Sequence, residues 1–448
     1  MKHLQRFLIV LPMISVALQA SLCQETTLTL QETITTALQA SEELRIAEQN
    51  VRQAELQARE IGARRLPKLD FSAQYLFTSE VMKMIQPATE LDLGFASATI
   101  PGRELAFGDE HNTDFSLKFT QPIFTGFGLQ KAHRSAEWEV VRRQKEADQI
   151  CWEVQCRAEE TYRQAQKAVA LVQIAELQVR TMERHLGRAR ELVAQGVALA
   201  EIAARAELAH VRAKASLLEA QQAEHLTKTA LQELLDKPAD SAAWILEPLT
   251  DSLTYTDVSV EDTVQIATKR CELDVINLQR EVVQEQVGVQ KAGFYPSLSA
   301  FAALNYGKPG IDRFENDWMF YQTAGVSLNW TVWDWHQRSY RMQQVQVSHR
   351  QLDDAYCAAE SKIRLEVERA ESQLKDAFAR IRVADKSVEL AQEILQWVEQ
   401  RYQQGAASEN ELLDALDDLH RSKVQRIIAL SDLFLARLEL KRTRGYDQ

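Results

Sequence analysis

Glycine and proline are scarce in this chain, 15 and 9 of its 448 residues, and they gather at a few points. Those points read as joints between long elements, with helix dominant. Cysteine is scarcer still at five, and Cys151, Cys156, Cys271 and Cys357 fall within helical pattern. Cys151 and Cys156 point in different directions on a helix, so no disulfide framework or metal-ligand spacing emerges. After the first two dozen residues no run of about 18 apolar residues occurs, which excludes a helical membrane span. Positive charge is in deficit, with a formal net charge of −12 that argues against a nucleic-acid surface. A nucleophile motif and a phosphate loop are both missing. The histidines His111, His133, His185, His210, His225, His336, His349 and His420 are scattered, with no partner at useful spacing. The expectation is a protein that is not an enzyme and needs neither cofactor nor metal.

The chain opens with a basic start (Lys2, His3, Arg6), a short apolar stretch from Phe7 to Leu18, and small residues near a plausible cut. That pattern predicts a secretory leader over residues 1–23, cleaved after Ala20 or Cys23. Cys23 also invites lipidation, although Leu22 before it suits that processing poorly.

What the chain has in quantity is a repeated helical register. Val172, Ala175, Val179, Met182, Leu186, Ala189 and Val193 keep a three-four spacing that recurs 209 residues later at Ile381, Ala384, Val388, Ala391, Leu395, Val398 and Tyr402. Such spacing belongs to helices packed by knobs into holes. The same shift carries Phe124 to Trp333 and Gly196 to Gly405. Nearer each N-terminus the shift becomes 229, taking Leu66-Pro67-Lys68-Leu69 to Tyr295-Pro296-Ser297-Leu298. The chain is therefore expected to be one unit used twice, residues 24–236 and 258–448, with a linker over 237–257.

Each repeat reads as helix, strand, loop, strand, long helix and shorter helix. The first helix should run from Thr29 or Gln31 to about Arg65, ending before Pro67, and its copy from Val260 to about Gly293, before Pro296. Period-two alternation predicts strands over about 69–77, 114–121, 298–306 and 323–331. About nine residues is what a tilted strand needs to cross a bilayer. Between the first two strands, Thr78 to Thr113 reads as a long loop of turn residues; the second connection, Gly307 to Tyr321, is short. Helices from about Phe127 to Gln195 and His336 to Gln404 would each be about 100 Å long at ~1.5 Å per residue, too long for a globule. Gly196 and Gly405 break them, and shorter helices follow to about Asp236 and Arg444.

Alternation alone fits a small wet-faced sheet as well as a membrane one. Aromatic placement favours the membrane. Trp318, Phe320 and Tyr321 lie at one end of the fourth strand and Trp330, Trp333 and Trp335 at the other, where lipid-facing strands carry interfacial rings. Four strands cannot close a barrel, and lipid tolerates no open edge, so oligomerisation is required.

The entries ARRLPKLDF and KAGFYPSLSA, the strand exits QPIFTGFG and NWTVWDWH, and the turns LVAQGVALAEIAARA and RYQQGAASENELLDALDD together resemble the outer-membrane efflux protein family. The resemblance implies a TolC-like, mainly α fold with a β-barrel portion. It further implies a homotrimer with a 12-stranded barrel and a 12-helix tube, in the outer membrane of a Gram-negative cell with a long periplasmic extension. The implied work is that of an exit duct for a tripartite efflux pump, serving a periplasmic adaptor and, through it, an inner-membrane transporter. A duct for one-step protein secretion shares the fold, and a secreted coiled-coil scaffold without a pore stays open as a third reading.

The resemblance also assigns residues. Glu411 and Asp414, three apart on one helix face, would form the ring of carboxylates constricting the periplasmic entrance, with Tyr402 beside them. Acids in a helix's first turns otherwise simply complement its dipole. Around a threefold axis such a ring would favour cations, in keeping with the negative net charge. Gly196-Val197 and Gly405-Ala406 would be the turns that dock the adaptor. Ile202 stands where the family's latch has a carboxylate and Ala407 where it has an arginine, so the latch of this chain must differ.

Overall fold

The structure, a computed structural model, describes residues 27–92, 94–107, 109–237, 244–249, 270–312 and 317–445. The expected leader, Cys23, most of the linker and the expected helix start at Val260 lie outside these residues. Seven helices occur among them: α1 (Leu30–Ala40), α2 (Glu42–Ala63), α3 (Gly128–Ala194), α4 (Ala200–Leu234), α5 (Cys271–Ala292), α6 (Gln337–Gln403) and α7 (Glu409–Arg444). Ten strands join them: β1 (Thr27–Leu28), β2 (Lys68–Phe77), β3 (Met82–Gln86), β4 (Thr89–Asp92), β5 (Ser97–Ile100), β6 (Arg103–Phe107), β7 (His111–Phe124), β8 (Ile245–Leu246), β9 (Ser297–Lys308) and β10 (Met319–Asn329). None of the described helices is long and apolar enough to cross a membrane.

The boundaries recur. A shift of 209 carries both ends of α3 onto both ends of α6, each 67 residues long. A shift of 229 does the same for α2 and α5, each 22 residues long. Left-handed backbone recurs too: φ is 61° and 67° at Gly126 and Phe127, and 52° and 66° at Trp335 and His336. Gly126 has a reason to be glycine, because a Cβ there would lie 2.5 Å from the Ala292 carbonyl oxygen. Trp335 takes the same conformation with its ring exposed.

By its contacts the chain falls into two compact units, each drawing segments from both halves of the sequence. One takes in residues 42–153, 259–371 and 440–448 and holds the main sheet, ordered β10-β9-β7-β2 and antiparallel throughout. Register aligns its apolar positions into rows. Leu69, Phe119, Ala302 and Ala324 face one another across the four strands, as do Ala73, Phe115, Tyr306 and Phe320. Every side chain in those two rows is exposed. The opposite face is mixed, with Phe301 and Tyr321 among polar residues and Ser116 Oγ donating to Asn305 Oδ1 at 2.7 Å. Among the described residues β2 and β10 are the edges, with no further strand beside them.

Trp318, just before β10, stacks on Phe115 and Tyr306 at 6.3 and 5.0 Å between ring centroids. Trp330, just after it, donates its indole N–H to the Phe294 carbonyl at 3.3 Å, and Trp333 and Trp335 meet edge to face at 5.7 Å. Tyr321 points to the half-buried face. Three expectations need correction. The fourth strand lies at 319–329, earlier than the 323–331 read from alternation, because pairing with β9 runs on through the aromatic Met319–Tyr321 end. Thr78 to Thr113 is not a plain loop; β3 pairs with β6 and, within them, β4 with β5, as nested two-stranded ribbons. The helix expected from Thr29 to Arg65 breaks at Ser41, whose ψ of 115° is extended.

The other unit takes in residues 1–41, 154–258 and 372–439 and is a bundle of α1, α4 and parts of α3, α6 and α7. Small heptad residues make its seams: Ala158, Ala165, Ala175 and Ala189 from α3, and Ala377, Ala384 and Ala391 from α6, are buried. Helices meeting at alanine approach closely, and the larger Val172, Met182, Leu186 and Ile381 fill the spaces between. Thr29 starts α1 with a capping box: its hydroxyl accepts from the Glu32 N–H at 3.2 Å, and the Glu32 carboxylate accepts from the Thr29 N–H at 3.1 Å. Tyr162, wholly buried, donates its hydroxyl to the Leu28 carbonyl at 2.8 Å and so ties the parallel β1–β8 pair to α3.

Candidate functional site

The two helix turns lie in the bundle unit and share one geometry. α3 ends where the Val197 N–H reaches back to the Leu192 carbonyl at 3.0 Å, and α6 ends where the Ala406 N–H reaches the Arg401 carbonyl at 2.8 Å. Both are closures of the kind that demands a left-handed residue, supplied by Gly196 (φ 75°) and Gly405 (φ 72°). Chain neighbours aside, no atom of the described residues lies within 4 Å of where either Cβ would be. Val197, 73% exposed, and Ala406 flank the glycines in the open. These surfaces present small side chains and bare backbone.

Their exits differ. α4 begins at Leu199 with no side-chain cap. α7 begins with a capping box: the Ser408 hydroxyl accepts from the Glu411 N–H at 3.2 Å, and the Glu411 carboxylate accepts from the Ser408 N–H at 3.3 Å and its hydroxyl at 3.1 Å. Arg401 closes on the same carboxylate at 3.2 Å. The Ser408 N–H and hydroxyl, with Arg401, hold the Glu411 carboxyl below the ordinary carboxylate range. Asp414 is exposed one turn further on. Ile202 packs on Leu186, Ala189 and Ala206.

Tyr402 engages a different carboxylate. Its hydroxyl donates to Glu409 Oε2 at 2.8 Å, and the other oxygen of that carboxylate meets His185 Nε2 of α3. His185 and Glu409 are each 7% exposed. Beside them Met182, Ala213, Leu412 and Leu416 form an apolar cluster, with Val179, Leu395 and Val398 packed on it. Burial acts to raise the Glu409 pKa, but the bonds from His185 and Tyr402 outweigh it, so the carboxyl stays below its ordinary range. Burial, and then the hydrogen bond to Glu409 and its charge, push Tyr402 up to about 12. His185 thus corrects the expectation that the histidines lack partners: its partner lies 224 residues away, beyond the reach of any spacing rule. A second tie between the hairpins runs from Arg205 of α4 to Asn410 of α7 at 2.6 Å.

The strand-end aromatics Trp318, Tyr321, Trp330, Trp333 and Trp335 belong to the sheet-bearing unit. Among the described residues no group of acidic, histidine and cysteine side chains is arranged to hold a metal, and no disulfide joins the four described cysteines.

Comparison with known proteins places this geometry. No curated protein sequence matches the chain. Solved structures do. CusC aligns at 17% identity with a TM-score of 0.77, over 93% of this chain and 92% of its own. The outer membrane protein VceC of Vibrio cholerae aligns at 20% identity and 0.72, over 93% and 96%. The Neisseria gonorrhoeae MtrE outer membrane channel aligns at 16% and 0.74, over 93% and 88%. At such identities the likeness establishes the TolC-like fold. The family model for outer membrane efflux proteins matches residues 33–236 and 264–445. With that much of its length matched, the chain belongs to the outer membrane efflux protein family.

Proposed function

We propose that this protein is the outer-membrane exit duct of a tripartite efflux pump and performs no chemistry of its own. The observation that carries the reading is the sheet: four strands, both edges unpaired, and one face of aligned, exposed apolar rows. In water such a sheet would aggregate through its edges, and in lipid each unpaired backbone group costs several kcal/mol. Pairing β10 of one copy with β2 of the next removes every edge at once. Three copies give a twelve-stranded barrel of the kind the family uses. Trp318 at one end of β10, and Trp330, Trp333 and Trp335 at the other, then sit at the two membrane interfaces, while Tyr321, on the opposite face of the strand, turns to the barrel interior. The helices of the three copies enclose the periplasmic tube.

On this reading the chain is two tandem repeats, residues 24–236 and 258–448, behind a leader over 1–23. Gly196, Val197, Gly405 and Ala406 dock the periplasmic adaptor, which links the duct to an inner-membrane transporter. The open space around both glycines supports that role. Glu411 and Asp414 ring the entrance with six carboxylates and favour cations.

The test is conductance in planar bilayers with the detergent-extracted protein. The duct reading predicts cation-preferring channels whose preference falls in a Glu411→Gln/Asp414→Asn double variant. Glutamine retains the acceptor of the Ser408 cap while removing the charge. Channels of unchanged selectivity would move the constriction elsewhere, and absence of channels would overturn the reading.

A further inference from the structure

The pairing of His185 with Glu409 has no local cause. Hairpin packing by itself does not call for it, as the repeat makes visible: the shift of 209 places Ile394 where His185 stands, Ala200 where Glu409 stands, and Val193 where Tyr402 stands. One half of the sequence uses three apolar residues at positions where the other uses a linked imidazole, carboxylate and phenol. Buried charge is costly unless paired, so a pair held at 7% exposure beside a methionine and leucine cluster specifies one arrangement of its helices and penalises others. The arrangement it specifies is that of the second hairpin on the first. Glu409 is the first residue of α7, Tyr402 lies in the last turn of α6, and His185 is on α3. A single carboxylate thereby joins both arms of the α6–α7 turn to α3.

We infer that His185, Glu409 and Tyr402 are the clasp that holds the second hairpin against the first and keeps the entrance narrow, in place of the latch that Ile202 and Ala407 cannot form. The inference rests on the duct reading. The groups facing the carboxylate are few. α3 presents His185, with Arg188 acting through space on Tyr402; α6 presents Tyr402; the α4 residues packed against the neighbouring cluster are Ala209 and Ala213, which carry no charge. Glu409 is therefore the only acid in the clasp, and losing its charge leaves His185 and Tyr402 without their common acceptor. Freed of it, the α6–α7 turn is held to the first hairpin chiefly by Arg205 and Asn410 on the surface and by apolar contacts that tolerate sliding.

The experiment is resting conductance of single channels from the parent, Glu409→Gln, His185→Gln, their double variant, and Arg190→Ala. Arg190 serves as control because its pair with Glu207, 3.2 Å apart, is exposed and ties α3 to α4 within the first hairpin. The clasp predicts a severalfold rise in Glu409→Gln and in His185→Gln, no larger rise in the double variant, and none in Arg190→Ala. Conductance equal to the parent's in both single variants, or rises that multiply in the double, would overturn it. Should those substituted proteins fail to assemble, Tyr402→Phe decides instead: it removes one of the two bonds to Glu409 and keeps the ring in place, so conductance must rise, and conductance equal to the parent's overturns the clasp. A parent that forms no channels removes the duct reading, and the clasp with it.

Discussion

Gly405 offers a perturbation whose cost and target separate cleanly. Its φ of 72° lies where an L-residue pays about 1–2 kcal/mol, whatever its side chain. Steric penalty adds little, since among the described residues an added Cβ would have no neighbour within 4 Å beyond the adjoining residues. Gly405→Ala and Gly405→Trp should therefore destabilise the turn by nearly the same amount, small beside the 5–15 kcal/mol typical of a folded domain. The two differ in what they present outward. Alanine adds one methyl, and tryptophan adds a ring over the surface we assign to the adaptor. The assay is photocross-linking to the periplasmic adaptor from a reactive residue at Val197, with oligomer recovery measured alongside. Alanine should keep cross-linking near the parent level; tryptophan should reduce it at least tenfold, with oligomer recovered equally in both. A tryptophan variant that cross-links like the parent would refute adaptor contact at this turn.

Two further outcomes follow from the same physical reasoning. Tyr162→Phe should destabilise the helical unit by about 1–3 kcal/mol, because the buried Leu28 carbonyl loses its 2.8 Å donor; thermal unfolding measures this, and no change would mean the β1–β8 pair contributes nothing. The clasp also sets a pH window for stability. Glu409 is depressed, so its contribution is complete above the ordinary carboxylate range and is lost as pH falls through its lowered value. Tyr402 is raised to about 12, so its contribution is complete below about pH 10 and is lost as pH climbs toward 12. The unfolding midpoint of the parent minus that of Glu409→Gln should shrink as pH falls below the ordinary carboxylate range; a difference that grows with acid would reverse the assignment.

Much of the architecture was legible because it rests on local rules. Pro67 and Pro296 mark the passage from helix to strand, Thr29 with Glu32 announces a helix start, and a glycine at the end of a heptad run marks a left-handed turn, as Gly196 and Gly405 do. The strands were legible because one face had to be apolar throughout. What escaped was set by tertiary proximity or by weak patterning. Met82, Met84 and Ile85 lie in a ribbon that covers no core, so nothing imposes alternation there, and a stretch that pairs across a nested hairpin reads as loop. Ser41 breaks a run whose apolar period continues past it. Glu411 was read from its position on a helix face, which does not reveal that its carboxylate turns back to Ser408 and Arg401. His185 and Glu409 meet across 224 residues, and neither carries a local signal of the other.

The central claim is that copies of this chain complete one another's sheet. The most direct test is the native mass of the protein extracted from membranes in detergent, read together with its behaviour once detergent and lipid are withdrawn. The account predicts a particle of three 51.0 kDa chains, each less any cleaved leader, that aggregates without amphiphile. A single chain, stable and soluble in plain buffer, would contradict it.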